Sequence, residues 1–363
     1  MRKQLIVGAA VATIAVMALS SCSTRDTSSA SGAVIKKGET IGVALPAKTS
    51  QNWVLAKAAF EKSIAAAGFK ADVQYAAATN TVPDQQNEVS AMVTKGDKVI
   101  IVAAQDGSQL GTQVAAAKKA GITVIAWDRN LTGTKNVDYY VAFNNFKVGV
   151  LQGNALLAGM KAKKATGPYN IELFAGSPDD ANAPIFFNGA MSVLQPKIND
   201  GTLKVASGET KFAQVSTQGW LAQNAQARMT DLLTKSYSSK TAELDGVLSP
   251  NDTLGRAILT AIHAAGKPYP IVTGQDSETA SIPLIMNGTQ YSTIYKNTQD
   301  EAQAAVDLVT TLSKGEKPKT VVDKNNFNGK ITVPSVELTP ILVTKENAVA
   351  TYKDNPTLEA LTK

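Results

Sequence analysis

The amino-acid sequence predicts an α/β protein with two similar lobes, each a doubly wound, mostly parallel β-sheet. From Glu39 onward, short β-branched runs alternate with longer Ala-rich stretches, which is typical of a parallel sheet covered by helices on both faces. The alternation restarts after Phe143, which indicates a second unit of the same kind. A chain of 363 residues also favours two domains over one.

The first half of the chain predicts one complete parallel sheet. Strands are predicted at residues 40–45, 72–75, 99–103, 122–126 and 139–143. Helices are predicted between them at residues 53–67, 83–95 and 110–120. Gly68 and Gly121 directly follow helical stretches, where a glycine commonly ends a helix. Pro83 suits a first helical turn.

The second half predicts another sheet and a return to the first. Strands are predicted at residues 169–174, 212–215, 246–249 and 271–274, and helices at 146–160, 183–194, 221–233 and 254–265. A last strand at 291–295 and helix at 299–312 are predicted to rejoin the first sheet. We therefore expect an N-terminal lobe of residues 39–143 plus 297–328 and a C-terminal lobe of 144–296 plus 329–363. The crossovers are expected near residues 144, 276–296 and 328–333.

The N-terminus is typical of an exported lipoprotein. Arg2 and Lys3 precede an uncharged apolar run at residues 5–18, which indicates a secretory signal rather than a membrane-spanning helix. The following Leu-Ser-Ser-Cys resembles the bacterial lipobox, in which the cysteine is lipidated and becomes the new N-terminus. Cys22 is the only cysteine. The alternative is an ordinary signal peptide with an incidental cysteine.

These features predict how the N-terminal segments are used. Residues 1–21 are expected to be a lipoprotein signal peptide, with Cys22 as the lipidation site. Residues 22–38 are rich in Ser, Thr, Ala and Gly, a composition that favours a flexible tether. We expect an extracytoplasmic protein anchored by lipid to the bacterial membrane, on the cell surface or in the periplasm.

Composition and missing motifs exclude several functions. Without Arg2 and Lys3 the chain has 34 basic and 30 acidic residues, which are scattered, so it lacks the footprint of a nucleic-acid-binding protein. It contains no glycine-rich nucleotide loop, nucleophile elbow, or zinc or calcium motif. His263, the only histidine, cannot build a triad or a histidine metal cluster. We expect no cofactor, no metal, no catalytic residue and no nucleic-acid partner.

Polar side chains follow the predicted strands, where ligands of open α/β sheets bind. They include Asn52, Asp128, Arg129, Asp180, Asn182, Asn251, Asp276 and Lys296, with Trp53 close by. Sugar hydroxyls both donate and accept, and planar groups such as carboxylates, amides and guanidinium suit them. Aromatic rings suit the C–H faces of a sugar. Carboxylates that each have a hydrogen-bonding companion favour holding a sugar over hydrolysing it.

Four segments together carry a family resemblance. They are Ile-Ala-Trp-Asp-Arg at 125–129, Phe-Asn-Asn-Phe-Lys-Val-Gly at 143–149, Gly-Ser-Pro-Asp-Asp at 176–180 and Ser-Pro-Asn-Asp at 249–252. From about residue 40 to residue 343 the chain resembles the periplasmic sugar-binding proteins of ABC importers. It is most similar to the xylose-binding and multiple-monosaccharide-binding branch of the ribose- and galactose-binding group. The resemblance implies the type I periplasmic-binding-protein fold, a monosaccharide in the cleft and ABC permease subunits as partners.

The resemblance also implies roles for first-lobe and crossover residues. Asp128 and Arg129 match the pair that holds sugar hydroxyls from the first lobe. Lys296 matches a lysine of the xylose-like branch, where ribose binders carry glutamine. Trp53 resembles the aromatic plate of the first lobe. Asn52 stands where xylose-type proteins more often carry a basic residue, which leaves hexoses and pentoses open.

In the second lobe, the resemblance implies contacts from two loops and a helix start. Asp180 and Asn182 match an acceptor and an amide, and Asn251 matches the asparagine that opens a helix. Asp276 matches an aspartate near a lobe crossover. Trp220 resembles the aromatic plate of the second lobe.

Alternatives remain at several of these positions. Trp220 and Trp127 could be core residues. Asn251 could serve only as a helix N-cap, and Arg129 could form a surface ion pair. Asp252 favours helix-end electrostatics over ligand contact. For the whole chain, the alternatives are a secreted carbohydrate-active enzyme and the effector domain of a sugar-responsive repressor, although a lipobox replaces any DNA-binding headpiece. We expect a monomeric binding protein without enzymatic activity.

Overall fold

The computed structural model describes residues 35–239 and 242–363. The predicted signal peptide, Cys22 and most of the predicted tether lie outside the described residues. Within the described ranges, no helix combines the length and apolar character that crossing a membrane requires.

Strands and helices alternate along the described chain. The strands are β1 (Thr40–Leu45), β2 (Lys70–Tyr75), β3 (Val99–Val102), β4 (Thr123–Trp127), β5 (Tyr139–Phe143), β6 (Tyr169–Leu173), β7 (Leu203–Val205), β8 (Gly246–Leu248), β9 (Ile271–Val272), β10 (Thr293–Tyr295), β11 (Ser335–Leu338) and β12 (Ile341–Val343). The helices are α1 (Gln51–Ala66), α2 (Thr81–Lys95), α3 (Gly111–Lys119), α4 (Asn145–Lys163), α5 (Ala183–Asn199), α6 (Phe212–Val215), α7 (Ala222–Ser236), α8 (Asp252–Ala264), α9 (Ile282–Met286), α10 (Thr298–Ser313), α11 (Ala348–Thr351) and α12 (Pro356–Ala360). The bounds of β1 and β5 are those predicted.

The first sheet is parallel and has the strand order β11-β5-β4-β3-β1-β2. Alternate residues of β3 face opposite sides of it, as the pleat of a strand requires. Ile101 lies in a buried cluster with Phe60 of α1 and Val306 of α10. Ile100 lies in the opposite cluster with Met92 of α2. We call this sheet, with α1, α2, α3 and α10, the first lobe.

The second sheet is also parallel, in the order β7-β6-β8-β9. Val247 of β8 lies in a buried cluster with Ile258 of α8, and Leu248 lies in the opposite cluster with Leu156 of α4. The antiparallel pair β10 and β12 runs beside β9, where the Tyr291 N–H donates to the Val272 carbonyl at 3.0 Å. We call this second sheet, the β10–β12 pair and the helices α4 to α9, α11 and α12 the second lobe. The fold class predicted from the sequence is thus confirmed.

The described chain crosses between the lobes at residues 143–145, 295–298 and 338–341. The first crossing includes residue 144, and the second begins at the end of the predicted range 276–296. The third was predicted at 328–333, but the Asn328 amide donates to the Leu131 and Thr134 carbonyls of the first lobe at 3.0 and 2.9 Å. β11 then pairs with β5. The expected placement of 329–363 in the C-terminal lobe is therefore wrong for Ser335–Leu338.

Two predicted strands also differ from the structure. The strand at 291–295 does not rejoin the first sheet, since β10 pairs with β12 and only α10 returns. Residues Phe212–Val215 form α6, and β7 takes the outer position next to β6. In α6 the Gln214 N–H donates to the Lys211 carbonyl at 2.9 Å. Apolar residues three apart fit one helical turn as well as a strand, and a run this short does not distinguish the two.

Candidate functional site

A cavity between the lobes brings the sequence-predicted site residues together. The space it encloses is about 440 Å³ when the open solvent at its mouth is included. All ten predicted side chains line it: Asn52, Trp53, Asp128, Arg129, Asp180, Asn182, Trp220, Asn251, Asp276 and Lys296. The carboxyl ends of both sheets converge here, as expected for facing α/β lobes.

Four further residues line the cavity and were not predicted. They are Thr49, Ser50, Phe186 and Gln275. Thr49, Ser50 and Gln275 follow strands, so the same strand-end argument could have found them. Phe186 lies one helical turn after Asn182, and the Lys296 ammonium lies 5.6 Å from its ring centre. Helical spacing from a predicted site residue was the signal that could have found it.

The first-lobe part of the site begins at a left-handed turn after β4. Asp128 has a φ of 55°, a conformation that Asp adopts more readily than most residues. Its N–H donates to the Val141 carbonyl at 2.9 Å. Its carbonyl accepts from the Tyr140 hydroxyl at 2.6 Å. These two bonds hold the turn in place, and the turn brings Asp128 to the cavity wall.

Arg129 is a buried cation rather than a member of a surface ion pair. Its side chain is 6% exposed, and its Nε lies 3.1 Å from Asp180 Oδ2 in the other lobe. The guanidinium carbon lies 5.0 Å from the ring centre of Trp53. Its Nη1 donates to the carbonyls of Ala104 and Gln105 at 3.4 and 3.3 Å. The charge of Arg129 is therefore held where first-lobe carbonyls and a second-lobe carboxylate meet.

The second-lobe wall is organised around Asp180. Its Oδ2 accepts from the Trp220 indole N–H at 3.1 Å, and its Oδ1 accepts from the Asn182 backbone N–H at 2.9 Å. The indole lies directly on Gly176, where a Cβ would come within 2.1 Å of Trp220 Cζ2. Trp220 also belongs to the buried cluster of the second lobe. The two interpretations of Trp220, core residue and cavity wall, therefore both apply.

Asn182 joins the lobes through its side-chain amide. Its Nδ2 donates to the Asp128 carbonyl at 2.7 Å, and its Oδ1 lies 3.1 Å from the Tyr140 hydroxyl, which shares its one hydrogen with that carbonyl. A second contact across the cleft joins Gln51 Oε1 to the Thr279 N–H at 2.8 Å. Hydrogen bonds between the two lobes thus hold them together around the cavity.

Lys296 lies between two carboxylates at a crossover. Its Nζ is 3.1 Å from Asp276 Oδ1 and 3.9 Å from Asp128 Oδ2. Burial lowers the pKa of Lys296, but these carboxylates more than offset it, so the pKa lies above its ordinary value. Burial raises the pKa of Asp128, and the charges of Lys296 and Arg129 oppose that shift. Lys296 is therefore a cation that bridges acceptors of both lobes.

Asn251 and Asn52 both line the cavity and also bond the start of a helix. Asn251 lines the cavity, and its Oδ1 also caps α8 by accepting from the Leu254 N–H at 2.9 Å. The side-chain oxygen Oδ1 of Asn52 accepts from the Thr298 hydroxyl at the start of α10. Asp252 is fully buried and does not line the cavity, and its Oδ1 accepts from Gln290 Nε2 at 2.7 Å.

Trp127 is part of the core. It is fully buried, and its ring centre lies 4.8 Å from that of Phe60 and 6.2 Å from that of Trp53. It thereby supports Trp53, which does line the cavity.

The site can bind a small polyhydroxylated molecule. It combines cationic donors, carboxylate acceptors and the rings of Trp53, Trp220 and Phe186 around one space. Among the described residues, no group of three or more His, Cys, Asp or Glu is arranged to hold a metal ion.

Comparison with known proteins places this arrangement in context. Residues 41–317 match the family model described as a periplasmic binding protein domain. The chain is 46% identical over 313 residues to the multiple sugar-binding periplasmic receptor ChvE of Rhizobium radiobacter, covering 85% of this chain and 87% of that protein. It is 32% identical over 308 residues to the D-xylose-binding periplasmic protein of Escherichia coli, covering 85% and 87%.

Two solved structures of solute-binding proteins are also similar to this chain. An ABC transporter solute-binding protein from Clostridium phytofermentans, with bound β-D-glucose, has a TM-score of 0.84 and 35% identity, covering 90% of this chain and 100% of that one. A carbohydrate transporter solute-binding protein from Chloroflexus aurantiacus, in complex with D-glucose, has a TM-score of 0.79 and 30% identity, covering 89% and 97%.

Proposed function

Because the chain belongs to the periplasmic binding protein family, we propose that it is an extracytoplasmic receptor that binds one monosaccharide and delivers it to an ABC permease. The observation that carries this proposal is the cavity between the lobes. Its donors, Arg129 and Lys296, lie beside the acceptors Asp180, Asp276 and Asp128, and each can bond a sugar hydroxyl.

The ligand we propose is a hexose or pentose in its ring form. A pyranose has two weakly polar C–H faces, and aromatic rings bury such faces with few rotamers to immobilise. Trp53 of the first lobe and Trp220 of the second supply rings from opposite sides of the cleft. The multiple-sugar receptor relative and the glucose-bound solved structures support hexoses as the first ligands to test.

We propose that the bound sugar leaves chemically unaltered. The family consists of solute-binding proteins, and the cavity's carboxylates are engaged by Arg129, Lys296 and the Trp220 indole. Carboxylates held by charge-assisted hydrogen bonds of this kind suit the role of fixed acceptors for ligand hydroxyls. We also propose that the receptor works as a monomer.

A thermal-shift panel tests the ligand class. A ligand that binds only the folded state, at 100 times its dissociation constant, raises stability by about 2.7 kcal/mol. We expect D-glucose, D-galactose, L-arabinose or D-xylose to raise the melting temperature, and acyclic mannitol to leave it unchanged. If none of these sugars raised the melting temperature above that of the sugar-free protein, the proposal would be contradicted.

Lobe closure is expected on sugar binding. The crossings at 143–145, 295–298 and 338–341 are the segments about which the lobes would rotate. Small-angle X-ray scattering should give a smaller radius of gyration at saturating sugar than without it. Lys118→Ala, which removes an ion pair to Asp138 away from the cavity, should compact in the same way. An unchanged profile in the wild-type protein would contradict hinge closure.

We propose that Cys22 is the lipid attachment site. The lipobox-like Leu-Ser-Ser-Cys at 19–22 supports this. Cys22→Ala should release the protein from the membrane fraction or leave the precursor uncleaved, as intact mass spectrometry would show. Ser28→Ala, in the predicted tether, should stay anchored. Retention of the Cys22→Ala protein with its lipid mass would contradict the assignment.

A further inference from the structure

The loop that carries Asp276 has a backbone conformation that its residues rarely adopt. Asp276 has a φ of 92° and Ser277 a φ of 50°, and neither is glycine. Side chains with a Cβ persist in such conformations only where the surrounding structure imposes them. The contacts of this loop therefore determine where the Asp276 carboxylate lies.

Neighbouring elements hold the loop's backbone. The Asp276 N–H donates to the Ile294 carbonyl at 2.8 Å. The Ser277 N–H donates to the Thr293 hydroxyl at 3.1 Å. The next N–H, that of Glu278, donates to the buried carboxylate of Asp252 at 2.9 Å. These bonds fix the loop to β10 and to the first residue of α8.

A tyrosine from the C-terminal segment holds the loop from another side. The Tyr352 hydroxyl donates to Ser277 Oγ at 2.7 Å. Tyr352 is fully buried, its ring packs edge-on against Tyr295 with centres 5.2 Å apart, and it shares a buried cluster with Ile282 and Leu358. Because a buried hydroxyl without a partner is unfavourable, this bond is maintained while the cluster is packed.

We propose that Tyr352 is a positioning residue for sugar binding, which acts through Ser277 on Asp276. The inference rests on the proposed function of the cavity. Tyr352 does not line the cavity, and it lies beyond residue 317, where the match to the family model ends. Its hydroxyl restrains the residue next to Asp276, and Asp276 in turn lies 3.1 Å from the Lys296 ammonium. The C-terminal segment is thus part of the scaffold that sets affinity.

A double-mutant cycle read by calorimetry with D-glucose tests this proposal. Loss of one hydrogen bond predicts that Tyr352→Phe weakens binding about 3- to 10-fold. Asp276→Ala should weaken it about 10- to 150-fold. In the Asp276→Ala background, Tyr352→Phe should have less than about a twofold further effect, because coupled residues are not additive. Ser277→Ala removes the acceptor instead, and it should reproduce the effect of Tyr352→Phe.

A matched control separates positioning from general stability. The Tyr237 hydroxyl donates to Glu172 Oε1 at 3.0 Å in the second-lobe core, so Tyr237→Phe also loses a buried hydrogen bond but should leave sugar affinity unchanged. If Tyr352→Phe does not fold, Ser277→Ala carries the test.

The outcomes distinguish this inference from the proposed function. If the wild-type protein binds the sugar and Asp276→Ala weakens binding, but Tyr352→Phe and Ser277→Ala do not, the inference alone is wrong. It is also wrong if Tyr352→Phe has the same effect with and without Asp276. If the wild-type protein binds no monosaccharide, the proposed function fails and this inference fails with it.

Discussion

Arg129→Ala is expected to weaken sugar binding by roughly 30- to 4,000-fold, the usual range for truncating one partner of a buried charge pair. Arg129 is the group through which Asp180, Trp53 and two first-lobe carbonyls are brought together. Its removal leaves the Asp180 carboxylate without its cation and withdraws donors from the sugar. Both effects act in the closed state, where the two lobes meet.

Calorimetry with the sugar that gives the largest thermal shift measures this effect. Arg228→Ala is the matched control, because Arg228 also forms an ion pair, at 2.6 Å to Glu209, and lies 4.2 Å from the ring centre of Phe174. Arg228 does not line the cavity, so its removal should change stability without changing affinity. A loss of less than threefold for Arg129→Ala would remove Arg129 from the site.

Trp220→Ala is expected to lower both stability and affinity. Truncating a buried tryptophan typically costs about 3–5 kcal/mol of stability, and Trp220 belongs to the second-lobe cluster and rests on Gly176. Its indole N–H also bonds Asp180, and its ring lines the cavity. We therefore expect a lower melting temperature without sugar and a dissociation constant at least tenfold higher.

Phe187→Ala separates the two contributions. Phe187 is similarly buried in the second lobe, where it packs against Phe212, but it does not line the cavity. It should lower the melting temperature and leave the dissociation constant unchanged. If Trp220→Ala behaves in the same way as Phe187→Ala, then Trp220 belongs to the core alone and one wall of the pocket is misplaced.

The sequence predicted the parts of the fold that have strong local signals. The longer helices and the buried runs of β1 and β5 have clear start signals, so the first residues of the predicted helices lie within two residues of those observed. β7, β11 and β12 are three or four residues long, and their partners are distant in sequence. Their positions depend on tertiary pairing, which local patterns do not contain. For the same reason, the third crossing was predicted too early.

The candidate site was predictable because of where it lies rather than what it contains. Asp128, Asp276 and Lys296 follow strands, and the topology alone places them at the cleft. Phe186 lies inside a helix of mostly apolar residues, and only the packing of α5 brings it to the cavity. The double role of Trp220 depends on how closely its indole packs on Gly176. Such a three-dimensional contact leaves no signal in the sequence pattern.

Titration calorimetry of the wild-type protein with D-glucose, D-galactose, L-arabinose and D-xylose tests the central claim most directly, with chromatography of the sugar recovered afterwards. We expect saturable binding of at least one of them at one site per chain, with the sugar recovered unchanged. Absence of saturable binding with all four, or recovery of a chemically altered sugar, would contradict the assignment of this protein as a monosaccharide receptor.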